Sequence, residues 1–330
     1  MWVLAAIAIA ALYFSERVQK SLQLAQARQS TNDGQIELSD ARAELLFRLA
    51  TTPMTPYGLG APPTSSALDD RGYAVGRTTA RLQDGRGLFN LNSFSEEQML
   101  RFLASLAVPA EQGAGLIDTL RDYIDGDDLR RLNGAELSQY KDRSLSPPRN
   151  APLVLPNELR QIIGWRDLPL LWNDKSQLLE LTNTDATTGI NPNTAPWQVL
   201  TTLPSVTEAI AKAIIERRQI EPVTAAWLDQ MLGTQLDVGV GIVWAFPSDT
   251  IRITQSTSGL PWGLRYNVRL TPRDAASPWA ITYFYRLEKK AEANEVPISP
   301  NPQHPLNAID LPKLPPRATL AAASPFLSEK

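Results

Sequence analysis

The stretch WVLAAIAIAALYF, residues 2–14, opens a helical pattern that decides the fold of this 330-residue chain. From Ser15 onward the pattern becomes polar on one side without stopping, and no proline appears before Pro53. Apolar residues then recur at helical spacing, namely Leu38, Ala41, Leu45, Leu46 and Leu49. We expect one helix of about 48 residues, roughly 70 Å long at about 1.5 Å per residue. Its apolar front would lie in a membrane or a fibre core, and its amphipathic rear would pack on a sheet.

Two features of this segment leave alternatives open. The run Thr31-Asn32-Asp33-Gly34 could kink the helix or split it in two. The apolar front is shorter than the roughly 20 residues that span a bilayer. It therefore predicts either a membrane anchor shortened at its front or a buried core helix. A coiled coil is disfavoured because the segment lacks sustained heptads.

The later sequence predicts strands around a helical region. Residues 73–82 predict a strand, residues 94–244 follow helical patterns, and three further strands are predicted at 249–257, 264–270 and 280–287. The last two strands alternate apolar and mostly polar positions, which indicates an antiparallel sheet covered on one face. One strand would thus precede the helical region and three would follow it. The simplest fold is α+β, with an all-α domain inserted into a sheet connection.

Four segments follow from these patterns. Residues 1–50 form the N-terminal helix, and residues 51–92 with 246–290 form the sheet. Residues 93–245 form the inserted α-helical domain. Residues 291–330 contain eight prolines and predict a flexible tail.

Composition excludes several kinds of chemistry. The chain has no cysteine, so disulfides and thiolate sites cannot form. Its single histidine, His304, lies in the Pro-rich tail, which excludes a Ser-His-Asp triad on the folded body. The net charge of −3 argues against nucleic acid as the main partner, because phosphate binding needs a basic surface. Carboxylate chemistry remains possible, although no isolated pair of carboxylates stands out.

An acidic run stands out at residues 121–136, RDYIDGDDLRRLNGAE. It places acidic residues around Gly126 and Gly134, at Asp122, Asp125, Asp127, Asp128 and Glu136. Several carboxylate oxygens this close together in the sequence suit Ca²⁺, although their spacing does not fit an EF-hand loop. The alternative is a polar helix end with capping aspartates. A carboxylate-dependent hydrolase would have no supporting motif beyond this run.

Four motifs in order resemble one family. They are the acidic run followed by Asn-Gly-Ala-Glu, the segment QDGRGLFNLN at residues 83–92, NELRQIIG at 157–164, and NPNTAP at 191–196. Over roughly residues 1–288 the chain resembles protein K of bacterial type II secretion systems, a minor pseudopilin. The family begins with a short basic leader that a prepilin peptidase cuts after a glycine. No such leader or glycine precedes Trp2, which leaves processing open.

The resemblance implies a pilin-like fold and a non-enzymatic role. It implies that the protein caps the tip of the pseudopilus and helps to start its assembly with other minor pseudopilins. The N-terminal helix would be a single-pass anchor in the bacterial inner membrane, with the body in the periplasm. Exported proteins and the outer-membrane channel are further implied contacts. The resemblance also favours structural Ca²⁺ at the acidic run, held by Asp122, Asp125, Asp127, Asp128 and Glu136.

One alternative function rests on a helical hairpin. The helix after Asn193-Thr194-Ala195-Pro196 and the helix at residues 208–218 resemble a helix-hairpin-helix unit, which grips nucleic-acid phosphates in other proteins. A membrane-anchored DNA-binding protein is therefore the alternative. The turn at residues 203–207 lacks the glycines that let backbone N–H groups approach phosphate, which favours a structural hairpin.

Overall fold

The N-terminal helix is continuous in the computed structural model, which describes residues 2–173, 176–233 and 243–288. Helix α1 spans Trp2–Thr51 and passes through the Asn32-Asp33-Gly34 segment without a break. Gly34 has a packing role there, because a Cβ at this position would lie 2.8 Å from Cγ of Leu260. The absence of a side chain at Gly34 thus lets the loop at residues 258–261 approach the helix.

A five-stranded antiparallel sheet forms the middle layer. Two short strands, β1 (Met54–Thr55) and β2 (Gly58–Leu59), precede it. Its own strands are β3 (Asp69–Val75), β4 (Thr78–Asp84), β7 (Thr250–Thr257), β8 (Trp262–Leu270) and β9 (Trp279–Glu288), in the order β3-β4-β7-β8-β9. The three later strands confirm the prediction. The single strand predicted at 73–82 is wrong, because Gly76, at φ +57°, turns the chain into a β3–β4 hairpin.

One face of the sheet packs on the rear half of α1. Buried residues of α1 that include Leu38, Leu45 and Leu49 share a core with alternate residues of the strands, such as Leu82 and Ile253. These are the helical positions that the sequence pattern marked as apolar. The long helix packed on an antiparallel sheet is therefore confirmed.

A large helical block joins β4 to β7, which are neighbours in the sheet. Its α-helices are α2 (Glu96–Ser105), α3 (Ala110–Ile124), α4 (Leu137–Asp142), α5 (Leu178–Leu181), α6 (Trp197–Leu200), α7 (Glu208–Arg218) and α8 (Ala225–Leu232). Three 3₁₀ turns lie at Gly85–Gly87, Pro156–Gln161 and Pro169–Leu171, and short parallel strands β5 (Phe89–Asn90) and β6 (Thr182–Asn183) pair within the block. The block has its own hydrophobic core, which includes Phe102, Leu120 and Trp165. The fold is α+β, as predicted.

The second face of the sheet is covered along β7 and β8. Because successive side chains of a strand point to opposite faces, residues next to Ile251 and Ile253 point away from α1. Arg252 and Arg265 lie on that face, and each is 2% exposed. The expectation that a polar face would be left open is wrong here, since the helical block covers charged side chains through ion pairs.

The predicted division into four segments stays a prediction. Its Pro-rich segment, residues 291–330, lies outside the residues that the structure describes.

Candidate functional site

The acidic run lies between two helices of the helical block. Helix α3 ends at Ile124, and the loop that follows leads to Glu136, which precedes the first turn of α4. Asp122 is in the last turn of α3 and is fully buried, whereas Asp127 and Asp128 are exposed on the loop. The five predicted ligands are therefore divided between the interior and the surface.

Arg131 joins the two aspartates nearest the helix end. Its Nη1 atom lies 2.7 Å from Oδ1 of Asp122 and 2.5 Å from Oδ2 of Asp125. The backbone N–H of Arg131 also donates to Oδ2 of Asp122, at 3.1 Å. One guanidinium thus bridges two carboxylates, and the loop folds back onto the helix that carries Asp122.

Glu136 is buried beside this pair. The residue is 4% exposed, and among the described residues neither of its carboxylate oxygens accepts a hydrogen bond. Burial, with repulsion from Asp122 and Asp125 next, raises the pKa of Glu136 to about 7. A buried carboxylate without donors is costly, so this side chain fits a site that gains a further cation.

The two exposed aspartates, Asp127 and Asp128, accept hydrogen bonds from groups of the loop and of a neighbouring segment. Oδ1 of Asp127 accepts from the backbone N–H of Leu129 at 2.8 Å, and Oδ1 of Asp128 accepts from Nδ2 of Asn150 at 3.3 Å. Across residues 2–173, 176–233 and 243–288, no group of three or more His, Cys, Asp or Glu side chains is gathered closely enough to hold a metal ion. The predicted ligands lie on the end of α3 and on the loop that follows it, and Arg131 supplies a positive charge beside Asp122 and Asp125.

One residue of the site was missed by the sequence reasoning. Arg131 was not singled out, although a basic residue inside an acidic run is the signal that could have found it. Gly134 leaves room for the buried carboxylate, because a Cβ there would lie 1.8 Å from Oδ2 of Asp122. The glycine is therefore required by the close approach of the aspartate.

The segment QDGRGLFNLN at residues 83–92, the first Asn-rich motif, contacts NPNTAP through a buried carboxylate. Asp84 ends β4 and is 0% exposed. Its Oδ1 accepts from the backbone N–H and the hydroxyl of Ser248, at 2.8 and 2.7 Å. Its Oδ2 accepts from Nδ2 of Asn191 and Oγ1 of Thr194, each at 2.9 Å. One side chain thus joins the end of β4 to the NPNTAP motif inside the helical block and to Ser248 at the approach to β7.

The asparagines of the first motif act on backbone groups. Nδ2 of Asn90 donates to the carbonyls of Asp185 and Thr187, at 2.7 and 2.9 Å. Nδ2 of Asn92 donates to the carbonyls of Leu153 and Thr184, each at 2.9 Å. These contacts give both residues a structural role, since buried carbonyls need hydrogen-bond donors.

Buried charges join the helical block to the sheet. Nη2 of Arg265, on β8, lies 2.6 Å from a carboxylate oxygen of Glu180, on α5, and Nη2 of Arg252 donates to the Glu180 carbonyl at 2.8 Å. Burial alone would raise the pKa of Glu180, but Arg265 and Arg252 outweigh it and lower the pKa to about 2. Burial raises the pKa of Asp185 to about 6, although Arg269 opposes the shift. The interface therefore depends on charge pairing.

The basic end of the helical hairpin faces inward. Nη1 of Arg218 donates to the carbonyls of Pro192 and Ala195, at 3.1 and 2.6 Å. Arg217 pairs with Glu221. Both cations are engaged by the chain itself, which favours the structural hairpin over a phosphate-binding one.

At the front of α1, the apolar side chains that the structure describes are exposed. Val3, Leu12 and Phe14 are each more than 60% exposed. Helix α1 is long and apolar enough to cross a membrane, and its most apolar 18-residue window is 0% buried against the described chain. This exposure disfavours the core-helix alternative and is compatible with a membrane anchor.

Comparisons with known proteins agree with this architecture. Residues 81–168 match the family model for type II secretion system (T2SS), protein K. No curated protein matches the chain. The chain is similar in fold to a chain of the GspK-GspI-GspJ complex from the enterotoxigenic Escherichia coli type 2 secretion system, with a TM-score of 0.51 and 18% sequence identity. The similarity covers 83% of this chain and 100% of that one.

The matched segment contains the first Asn-rich motif, the acidic run and the NELRQIIG motif. These are three of the four motifs that carried the resemblance in the sequence. The resemblance to protein K of the type II secretion system is therefore confirmed by the family model over residues 81–168, and the similar solved structure supports the same fold.

Proposed function

We propose that this chain is a minor pseudopilin that caps the tip of the type II secretion pseudopilus and helps to start its assembly. The helical block carries this proposal. It is inserted between the adjacent strands β4 and β7 and covers the face of the sheet opposite α1. In a fibre whose subunits stack through their N-terminal helices, such a block would clash with the next subunit, whereas the fibre end leaves it free.

The exposed front of α1 supports an anchoring role. Its apolar side chains have no cover from the described part of this chain, so lipid or the helices of other subunits would have to bury them. We infer a single-pass anchor in the inner membrane with the body in the periplasm. The same surface would pack against neighbouring pseudopilins when the subunit leaves the membrane.

The fold suggests two kinds of partner. The similar structure is a complex of GspK with GspI and GspJ. By analogy we propose that this chain binds two other minor pseudopilins of its own system at the tip. Exported proteins and the outer-membrane channel are further proposed contacts, since a block at the tip would face them first.

Calcium is the proposed structural cofactor of the acidic run. The fit rests on three buried carboxylate oxygens that accept no hydrogen bond among the described residues, namely Oδ1 of Asp125 and both oxygens of Glu136. Oxygen-only donors of this kind suit Ca²⁺. Asp122, Asp125 and Glu136 would hold the ion from the helix ends, and Asp127 and Asp128 would approach it from the loop. The ion would relieve repulsion among these carboxylates and fix the loop.

Labelling of pseudopili tests the tip role. Pseudopili assembled with a tagged copy of the full chain are labelled with gold and viewed by electron microscopy, and a tagged major pseudopilin serves as the control. We expect label at one end of each fibre, whereas the control should label the whole length. Label from this chain along the whole fibre would show that the helical block is tolerated inside the stack and would sink the proposal.

Thermal melting tests the calcium role. The full chain in detergent is melted with CaCl₂, with MgCl₂ and with chelator. Saturation at about 100 times the dissociation constant would add about 2.7 kcal/mol to the stability. We expect a rise with Ca²⁺ that Asp125→Asn abolishes and that the exposed helical control Asp40→Asn retains. An identical melting temperature in calcium and chelator would end the calcium proposal.

A further inference from the structure

Strand β9 leaves one edge of the sheet unpaired. In the order β3-β4-β7-β8-β9 it hydrogen-bonds to β8, and no other described strand pairs with its outer edge. Its pairing with β8 has one register shift, beside Asn267. Its ten residues, WAITYFYRLE, contain neither proline nor lysine, two residues that commonly protect such an edge. The backbone N–H and C=O groups along this edge are therefore open to a further strand.

The opposite edge of the sheet is protected. The register of β3 against β4 shifts between Asp69 and Gly72, and Asp70 in this bulge has φ +66°. Nη2 of Arg71 donates to Oδ2 of Asp69 at 2.7 Å and to Oε1 of Gln219, the residue after α7, at 3.0 Å. The helical block thus contacts β3, whereas among the described residues no hydrogen bond from the block reaches β9.

Strand β9 also carries exposed apolar side chains. Ile281 is 41% exposed and Phe284 is 46% exposed. No other strand that the structure describes has a large apolar side chain exposed to this extent. An open backbone edge and uncovered apolar side chains therefore coincide on one strand, as they do where proteins bind a partner by adding a strand.

The face of β9 toward α1 is basic. Phe284 lies opposite Tyr266, which belongs to the core shared with α1, so Phe284 and Arg286 point to this side. Cζ of Arg42, on α1, lies 5.6 Å from the centre of the Phe284 ring, and Cζ of Arg286 lies 4.3 Å from the centre of a tryptophan ring of β8. Neither guanidinium has an ion-pair partner among the described residues. Glu288 is the one acidic residue that β9 adds to this face.

The face of β9 toward the helical block is apolar and aromatic. Tyr283 and Tyr285 lie opposite Asn267 and Arg265, whose side chains bond to carboxylates of the block. The centres of the two tyrosine rings lie 5.8 Å apart, and both side chains are half-buried, as is Leu287. A strand added at this edge would lay alternate side chains beside two different surfaces, one basic and one apolar.

We propose that the outer edge of β9 binds an extended segment of another protein in which acidic and apolar residues alternate. The segment adds to the five-stranded sheet as a further strand. Its acidic side chains face Arg42 and Arg286 on the α1 side. Its apolar side chains pack on Tyr283, Tyr285 and Leu287 on the other side. Backbone hydrogen bonds supply the affinity and the alternation supplies the specificity. This inference goes beyond the proposed tip and calcium functions, because neither of them uses β9.

Fluorescence anisotropy with labelled peptides tests the proposal. The probe is a capped peptide of about eight residues in which Glu and Val alternate. One control peptide has Lys in place of Glu, and another has proline at its central Val positions, which removes donors that strand pairing needs. Each peptide is titrated with the full chain in non-ionic detergent at low ionic strength.

We expect the Glu/Val peptide to bind at least about tenfold more tightly than the Lys/Val and proline peptides, because charge and strand pairing both contribute. Arg286→Gln should weaken this binding by about threefold to tenfold, and Arg42→Gln should weaken it by a similar factor. Arg130→Gln is the matched control, since Arg130 is exposed on the acidic loop and its loss changes the net charge equally. It should change the affinity by less than about twofold.

Several results would overturn the proposal. They are absence of binding by the Glu/Val peptide, equal binding of the Lys/Val peptide, and an affinity that both arginine variants leave unchanged. Two peptides from the chain itself test the other occupants. Tighter binding of residues 279–288 than of the Glu/Val peptide would assign the edge to a second copy of the chain. Tighter binding of residues 291–300 would assign it to the chain's own Pro-rich segment, and either result would contradict a separate acidic partner.

Discussion

Asp84 is the single side chain whose change should weaken the whole body most clearly. It is fully buried and accepts hydrogen bonds from the Ser248 backbone and hydroxyl, the Asn191 amide, the Thr194 hydroxyl and the Arg86 backbone N–H. These donors come from the start of the helical block, from its NPNTAP motif and from the approach to β7. The carboxylate therefore fastens three separate parts of the chain to the end of β4.

The isosteric change Asp84→Asn keeps one oxygen and replaces the other by an NH₂ group. If Oδ1 remains, the new donor faces the amide of Asn191, which is itself fully buried. Leaving that amide unpaired costs about 1–3 kcal/mol, and each remaining hydrogen bond loses about 0.5–1 kcal/mol when its acceptor loses charge. The sum is about 3–5 kcal/mol, which lowers the melting temperature by roughly 6–20 °C in a chain of this size.

The assay is thermal unfolding of the full chain in detergent, followed by circular dichroism. Asp40→Asn is the matched control, because Asp40 is exposed on α1 and a surface change of this kind stays within about 0.5 kcal/mol. A melting temperature of Asp84→Asn within about 2 °C of the wild type would refute the reasoning that this carboxylate holds the helical block on the sheet.

Three further changes test the interface and the acidic loop. Glu180→Gln removes the charge of a carboxylate that is 41% exposed, so water screens part of its ion pair with Arg265. The free energy of unfolding in urea should fall by about 1–2 kcal/mol. An unchanged urea midpoint would contradict this. The pKa of Asp185 is raised to about 6, so its stabilising effect is complete below pH 3.8 and is lost as the pH rises through 6. Asp185→Asn should therefore melt like the wild type at pH 4 and be more stable by about 3 kcal/mol at pH 7; equal stability at both values would exclude the effect. Gly134→Ala should displace the Asp122 carboxylate and lower the melting temperature, whereas Gly126→Ala on the same loop meets no atom within 4 Å and should melt like the wild type; equal melting of the two variants would contradict the steric argument.

Periodic features of the fold were predictable from the sequence. The apolar spacing of Leu38, Leu45 and Leu49 marked the face of α1 that packs on the sheet. The alternation in β8 and β9 marked two strands of that sheet. These predictions succeed because burial of one face of a helix or strand requires apolar residues at a fixed spacing along the chain.

Turns inside an apolar run were harder to predict. The pattern of residues 73–82 predicts one strand because its apolar spacing hardly changes at the hairpin, where Gly76 beside Arg77 is only a weak turn signal. The run Thr31-Asn32-Asp33-Gly34 left a kink or a break open, and the structure shows that α1 passes through it without a break, with Gly34 packed against Leu260.

The sequence by itself determined the long helix, the sheet and the run of carboxylates, because each depends on residues that are neighbours in the chain. The tertiary structure decided which charges meet. It placed Glu180 against Arg265 across 85 positions and Asp84 against Ser248 across 164. It also put Arg131, and not a third carboxylate, between Asp122 and Asp125. A charge pair depends on distance in space and on exclusion of water, and neither quantity is encoded in the local spacing of residues.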